Sequence, residues 1–511
     1  MGAESRMNLS KQIIGNIKAR GVEIPASSYF DLPEKVLQFG TGVLLRGLPD
    51  YFIDKANKKG LFNGRIVVVK STGSADTSPF EKQDGLYTLV VRGVEENKKV
   101  EEYIVNASIS RVLSAKNEWE KILQCAGNPQ MNIIISNTTE VGIVLTKDNI
   151  LASPPESFPG KLLAFLYERY KIFKADPEKG MVIVPTELLP DNGGRLLAIL
   201  LELASQNGLE DAFVGWIKNK NNFCSSLVDR IVPGRLGPPQ QEEAESFLGY
   251  SDELMIMAEV YRLWAIETSS EKVKKILSFS QADRGVIIAP DISLFRELKL
   301  RLLNGSHTLS CGLAWLAGFT VVKKAMEDPA FSSYIRTLML EEIAPAITNN
   351  NLSMEAAVHF SGSTLERYNN PYIAHSWLGI TLQYCSKMRM RVIPVLLNHF
   401  RRFETVPRRI ALGFAAHLLF MKSEQGTDGL YYGEAGGKKY LVNDEFAAYY
   451  AKEWNRLDPN ELVREVLKNE KLWGANLCTL PGFAGAVTES LQFLIKEGAG
   501  PALKNIQGVL N

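Results

Sequence analysis

The segment KVLQFGTGVLLRG, residues 35–47, constrains the fold more than any other: an apolar strand candidate runs straight into a Gly40-Thr41-Gly42 turn and then into the amphipathic sequence LPDYFIDKANKKG. Strand, glycine turn and helix in that order open a nucleotide-binding α/β domain. The glycines let the backbone approach a pyrophosphate, and the helix N-terminus favours its charge. Leu45 stands where the usual fingerprint has its third glycine, so the turn alone is a weak signal. Its surroundings strengthen it. RIVVVKS (65–71), MNIIISN (131–137), GMVIVPTE (180–187) and AFVGWI (212–217) are short, apolar strand candidates separated by sequence that can hold helix, the pattern of a parallel sheet covered on both faces.

The run GLYTLVVRGV and the later EEYIVNASISRVL predict a hairpin that adds antiparallel strands, a mixed extension of the sheet. Residues 235–281 read as polar helical sequence around the apolar run LMIMAEVYRLWAI, followed by a last strand at GVIIAP. From Asp291 onward the periodicity is helical, in LFRELKLRLLNG, YIRTLMLEEIAPAI, PRRIALGFAAHLLF and AVTESLQFLIKE, with a glycine-rich hairpin or loop expected at GTDGLYYGEAGGKKYLV. A chain of 511 residues exceeds one hydrophobic core. We therefore expect an α/β, Rossmann-like domain over 1–290 and a mainly α-helical domain over 291–511.

Fifty-eight basic and fifty-seven acidic side chains leave a formal charge of +1, with no global field for nucleic acid or an anionic membrane. No apolar stretch is long enough to span a bilayer, and the N-terminus lacks a signal core. The five cysteines are scattered, as in a reducing, cytoplasmic setting, and the five histidines form no close cluster, so no metal is expected. Oligomeric state is open.

The chemistry concentrates in KLRLLNGSH. Lys299, Asn304 and His307 place an ammonium, a carboxamide and an imidazole within nine residues of a predicted helix. On a regular helix, with Lys299 at zero, His307 falls at about 80° and Asn304 at about 140°, so the three line one side. Leucines at 298, 300, 302 and 303 favour partial burial of Lys299, which tunes an amine toward proton transfer. On spacing alone, a snorkelling lysine and a helix-flanking histidine remain alternatives.

FGTGVLLRG, QDGLYTLVVRG, SNTTEVGI, PTELLPDNGG, NNFCSSLVDRIVP, KLRLLNGSH and RYNNPYIAH occur in a consistent order from about residue 35 to about residue 425. With them the chain resembles the polyol-specific long-chain dehydrogenase/reductase family, also called the mannitol dehydrogenase family. The resemblance implies an NAD(P)-binding domain, a helical substrate domain and metal-independent hydride transfer between polyol and ketose carbons. Lys299 matches the family's proton-exchanging lysine, Asn192 and Asn304 the asparagines that hold the developing alkoxide, and His307 the substrate-positioning histidine. The expected cofactor contacts are Phe39, Gly40, Gly42, Arg46, Lys70, Thr138 and Glu140. NAD is the expected cofactor, and NADP stays open because the second strand ends at Lys70 where an acid would hold the ribose diol.

Asp229, Arg296, Arg367 and His375 are the substrate-binding candidates. For Asp229 a structural salt bridge to Arg230 is equally compatible, and Arg296 could instead face solvent. Mannitol-specific relatives carry an acid three positions before the catalytic lysine, where this chain has Arg296. A guanidinium there suits the carboxylate of a small sugar acid better than a neutral polyol. A reductase of fructuronate, a mannitol-type polyol dehydrogenase, a sugar-phosphate enzyme and a cofactor-binding regulatory protein without turnover are the alternatives.

Overall fold

Residues Glu34–Phe39 form β1, the centre of a six-stranded, all-parallel sheet. The other strands are β2 (Arg65–Lys70), β3 (Ile109–Ser114), β4 (Ile133–Ser136), β5 (Val182–Pro185) and β6 (Asn222–Phe223), in spatial order β3-β2-β1-β4-β5-β6. That 3-2-1-4-5-6 order is the doubly wound arrangement in which a dinucleotide binds outside the carboxyl ends of the strands, where the order reverses. These coordinates are a computed structural model describing residues 6–71, 75–138 and 142–508.

Side-chain alternation along the strands explains why both faces are covered. Val36, Ile66, Val68, Ile133 and Val184 point to one side, onto Phe52 of α2 (Pro49–Lys58), Trp264 and Phe279. Leu37, Val67, Val69, Ile134 and Ile183 point to the other, onto Leu162, Leu163 and Leu166 of α3 (Phe158–Ile172) and Leu196, Leu200 and Leu203 of α4 (Asn192–Gln206). Each such side chain gains about 1.5–3 kcal/mol from burial.

Three segments differ from the sequence reading. AFVGWI lies in α5 (Asp211–Lys220), because Phe213, Trp216 and Ile217 are spaced to one helical face and pack into the core. LMIMAEVYRLWAI is not part of a helix: Ile256–Glu259 and Leu263–Glu267 are strands in two different sheets. The expected mixed extension of the main sheet is instead a separate four-stranded sheet, in which Tyr87–Glu95 and Lys98–Asn106 are neighbours and Ile256–Glu259 runs parallel to the former, while the ISRVL end of the predicted hairpin is β3, paired in parallel within the main sheet. Strand Val286–Ala289 pairs in parallel with Leu263–Glu267.

Asp50, on the first turn of α2, is fully buried with Gln38 and Asn106. Desolvation pushes its carboxyl up to about 8. The native state therefore keeps a proton that the unfolded chain releases near pH 4. Between those values the native state binds more protons, so stability falls as pH rises. An Asp50→Asn variant should lose part of this slope; melting temperatures of parent and variant from pH 5 to 8 check it, and parallel curves would refute it.

The chain divides into two compact units: one extends through residue 93 and resumes over 99–292, and the other comprises 293–511 with the hairpin tip 94–98. The second unit opens with an unbroken helix. It is α-helical over α6 (Ser293–Glu297), a π-helix over Leu298–Leu303, and α-helical again over α7 (Asn304–Leu316). Helix α7 crosses α10 (Arg408–Phe420) closely: a Cβ on Gly413 would lie 2.9 Å from the Leu309 carbonyl oxygen. Helices α8 (Met354–Tyr368), α9 (Tyr384–Arg391) and α11 (Phe483–Glu497) belong to the same unit. The glycine-rich segment forms a small antiparallel sheet of Glu424–Gln425, Tyr431–Ala435 and Lys438–Leu441. Among the described residues, no helix is long and apolar enough to cross a membrane.

Candidate active site

Lys299 sits inside the π-turn, and this changes the geometry expected from a regular helix. The Asn304 amide N–H donates to the Lys299 carbonyl, five residues back. Residues five apart in such a turn lie about one turn apart, so Asn304 stacks toward the side of Lys299 instead of standing about 140° away. His307 follows one α-helical turn after Asn304. The distortion aligns the three candidates better than a straight helix would, in keeping with the occurrence of π-bulges at functional sites. Lys299 and Asn304 are half-buried, while Leu298, Leu302 and Leu303 pack inward.

His307 is only 7% exposed. Its ring stacks on Tyr368 at 4.1 Å and 20°, and meets His375 edge-on at 5.1 Å and Trp377 edge-on at 5.8 Å. Tyr368 is clamped in turn, its hydroxyl 2.9 Å from Ser306 Oγ and donating to the Leu303 carbonyl at 2.9 Å. Among the described residues, the buried Nε2 of His307 has no hydrogen-bond partner. Burial, then His375 and the guanidiniums of Arg367 and Arg391, hold His307 well below its ordinary protonation range. Burial with Arg367 and Lys387 does the same, more mildly, for His375. Both imidazoles are thus neutral near pH 7, each with one donor and one acceptor nitrogen. The structure brings His307, Arg367 and His375 together.

Arg296 lies on α6, one turn ahead of Lys299, and makes no hydrogen bond or ion pair among the described residues. Glu297 is paired with Arg301, four residues along the helix, at 2.9 Å.

At the nucleotide-binding end of the other unit, Gly40 has φ +125°, and its N–H donates to the Val69 carbonyl. A Cβ there would lie 2.9 Å from Leu45 Cδ1 and 3.1 Å from the Asn137 carbonyl oxygen. Gly42 caps α1 (Val43–Gly47), with nothing within 4 Å of where its Cβ would be. This open turn at the carboxyl end of β1 fits a pyrophosphate. Lys70 ends β2 and donates to the Asp76 carbonyl at 2.6 Å. Thr138 follows β4, its N–H and hydroxyl both donating to Glu187 Oε1. Glu140 lies outside the described residues.

The side chains of two expected cofactor contacts face the core. The Phe39 ring is in the core against Phe158 at 5.2 Å, because strand alternation turns it away from the turn. Arg46 points inward as well, donating to the Leu254 carbonyl at 2.7 Å with Tyr87 and Phe80 beside it.

Comparison with known proteins follows this geometry. The family model described as the mannitol dehydrogenase Rossmann domain matches residues 34–277, and the mannitol dehydrogenase C-terminal domain matches 291–495. The chain belongs to the mannitol dehydrogenase family. Curated relatives include an altronate oxidoreductase of Bacillus subtilis, 37% identical over 94% of this chain and 97% of the relative, and one of Halalkalibacterium halodurans, 34% identical over 94% of each. Among solved structures, Pseudomonas fluorescens mannitol 2-dehydrogenase, in ternary complex with NAD and D-mannitol, shares the fold at a TM-score of 0.69 and 22% identity, covering 98% of this chain and 100% of that one. A substrate-free D-sorbitol dehydrogenase does so at 0.74 and 18%, covering 97% and 100%.

In this mannitol dehydrogenase family protein Asn192 departs from the expected role. It is fully buried, and its amide nitrogen lies within 3.1 Å of the carbonyls of Pro185, Glu187 and Ser226, while its oxygen accepts from the Ser226 N–H. Two N–H donors shared among three carbonyls leave none for a substrate oxygen. Asn192 instead ties the end of β5 to strand Ser226–Asp229. Replacing it by alanine should cost roughly 2–3 kcal/mol, since several buried backbone groups lose their partner; a urea midpoint unchanged from the parent would show the network to be dispensable.

Asp229 is buried at the end of that strand. The Arg230 guanidinium is directed to the carbonyls of Glu259 and Gly47 and lies 4.7 Å from the Tyr51 ring centre, which accounts for that arginine without a salt bridge to Asp229. Sequence reasoning missed Glu187, Trp377, Tyr368 and Arg391. Tyr368 and Glu187 lie within the motifs RYNNPYIAH and PTELLPDNGG, whereas nothing in the sequence marks Arg391.

Proposed function

We propose that this protein is a tagaturonate reductase, also described as an altronate oxidoreductase, interconverting the C3 keto and C3 hydroxyl forms of a six-carbon sugar acid. Lys299 gives a proton to the C3 oxygen in reduction and takes it back in oxidation. Asn304, one π-turn along, donates its carboxamide to that oxygen as charge develops, and His307 turns its unpartnered Nε2 to a neighbouring hydroxyl. Asn192 acts as a positioning residue, whereas Asp229, Arg367 and His375 are proposed substrate contacts. Gly40, Gly42, Lys70 and Thr138 would hold a nicotinamide cofactor, which supplies the hydride acceptor and donor when bound. NAD is the assigned form; at the end of β2, Lys70 donates to the Asp76 carbonyl.

The observation that carries the sugar-acid reading is the positive charge beside His307, where the Arg367 and Arg391 guanidiniums both act on the ring. Arg296 adds a further guanidinium beside Lys299. Similarity over nearly the whole length to relatives named altronate oxidoreductases supports the same conclusion. Initial rates of NADH and NADPH oxidation with tagaturonate, fructuronate and fructose test it. The expected order places tagaturonate with NADH first; fastest turnover of fructose would reject the sugar acid, and fastest turnover of fructuronate would reject the C3 assignment.

A further inference from the structure

We infer that Arg391 is a specificity-determining residue that binds the substrate's carboxylate, an inference that rests on the sugar-acid reading above. Arg391 closes α9, and its backbone is pressed against the segment that carries Asn304. Its carbonyl oxygen lies 3.7 Å from where Gly305 would carry a Cβ, and it accepts from Arg301 Nη1 at 3.3 Å. On the side chain, Nη1 donates to Thr308 Oγ1 at 3.1 Å, and that hydroxyl donates to the Asn304 carbonyl at 2.7 Å. The guanidinium is thereby fixed to the same helical turn as Asn304 and His307, with the stacked Tyr368 within its electrostatic reach.

What distinguishes Arg391 is the company it lacks. Two other arginines of this unit with buried stems are matched by carboxylates, Arg301 by Glu297 at 2.9 Å and Arg409 by Glu341 at 2.9 Å. Arg391 is mostly withdrawn from water, yet the groups acting on it are the neutral Cys311 thiol and Tyr368 phenol, and among the described residues its guanidinium donates to one hydroxyl. A partly desolvated guanidinium without a counterion is costly until an anion arrives. Its Nε–Nη2 edge makes no hydrogen bond among the described residues and is not sealed from solvent. That edge has the fork geometry that receives a carboxylate through two parallel N–H···O bonds.

Steady-state kinetics of the full chain with tagaturonate and NADH test the inference on Arg391→Gln and Arg391→Lys. The glutamine variant should raise KM for tagaturonate by about 10- to 100-fold, the value of a charge-assisted contact. Its kcat should stay within about threefold of the parent and its KM for NADH should not change. Lysine, which keeps the charge without the fork, should recover part of the loss. A glutamine variant with the parent's KM, or one whose loss lies in kcat alone, overturns the assignment. If the glutamine variant does not fold, the lysine variant decides: a severalfold higher KM supports the contact and a parental KM removes it. A parent that does not reduce tagaturonate at all fails the function reading, and this assignment with it; that result differs from an active parent whose variants are indifferent.

Discussion

Replacing Lys299 by alanine should lower kcat for tagaturonate reduction by about 10²- to 10⁴-fold, the range contributed by a positioned proton donor. The expectation follows from where the lysine sits. Its backbone carbonyl accepts from the Asn304 N–H within the π-turn, and its side chain is half-buried while Leu298 and Leu302 pack inward. In the proposed roles the amine and the Asn304 carboxamide act on one oxygen from adjacent turns of the same helix, and water in place of the amine would be neither oriented nor matched. Because Lys299 is proposed to act on the reacting oxygen, the loss should fall on kcat and kcat/KM together while nucleotide affinity is kept. Rates at saturating substrate, with nucleotide binding measured by fluorescence titration, provide the check; a variant within tenfold of the parent would exclude Lys299 as the proton carrier.

Gly40→Ala is the second large effect. At φ +125° an L side chain is strained, at a cost of order 1–3 kcal/mol. The new Cβ would also meet Leu45 Cδ1 at 2.9 Å and the Asn137 carbonyl oxygen at 3.1 Å, the first a side chain at the base of α1 and the second backbone. Relief requires the turn to move away from β4, which shifts the α1 N-terminus. Nucleotide affinity should therefore fall by at least tenfold, together with a lower melting temperature. Gly42→Ala is the matched control: its Cβ meets nothing within 4 Å and its φ is −61°, so any effect there reports on close approach of the ligand and not on the fold. Loss of affinity in the Gly42 variant with a parental melting temperature would support a pyrophosphate against this turn, and equal affinity in the Gly40 variant and the parent would contradict it.

Much of the first unit could be read because parallel strands buried on both faces appear as unbroken Val and Ile runs, and β1, β2, β4 and β5 all do so. AFVGWI shows the limit of that rule, since six apolar residues fit a strand or one face of a buried helix equally well. LMIMAEVYRLWAI shows the converse: its two strands are each four or five residues long and joined by a short turn, so the run mimics one longer element. The candidate site was legible through Lys299, Asn304 and His307, but not its shape. Nothing in LKLRLL announces a π-turn, because the i→i+5 register depends on what packs around the helix. Arg391 was hidden for a related reason. In SKMRMRVIP the charges look like a solvated face; Arg389 is indeed exposed, while Arg391 is turned inward by the packing of α9 on α7. The fate of Asn192 likewise needed the structure, since an asparagine after PD reads as readily as a ligand-binding amide as it does as a backbone clasp.

The most direct test of the central claim is the position of deuterium in the product after tagaturonate is reduced with NADH labelled at nicotinamide C4. Transfer of the label to C3 of altronate, read by NMR and abolished in Lys299→Ala, is the predicted result. Label at another carbon, or turnover that leaves no label in the sugar acid, would contradict it.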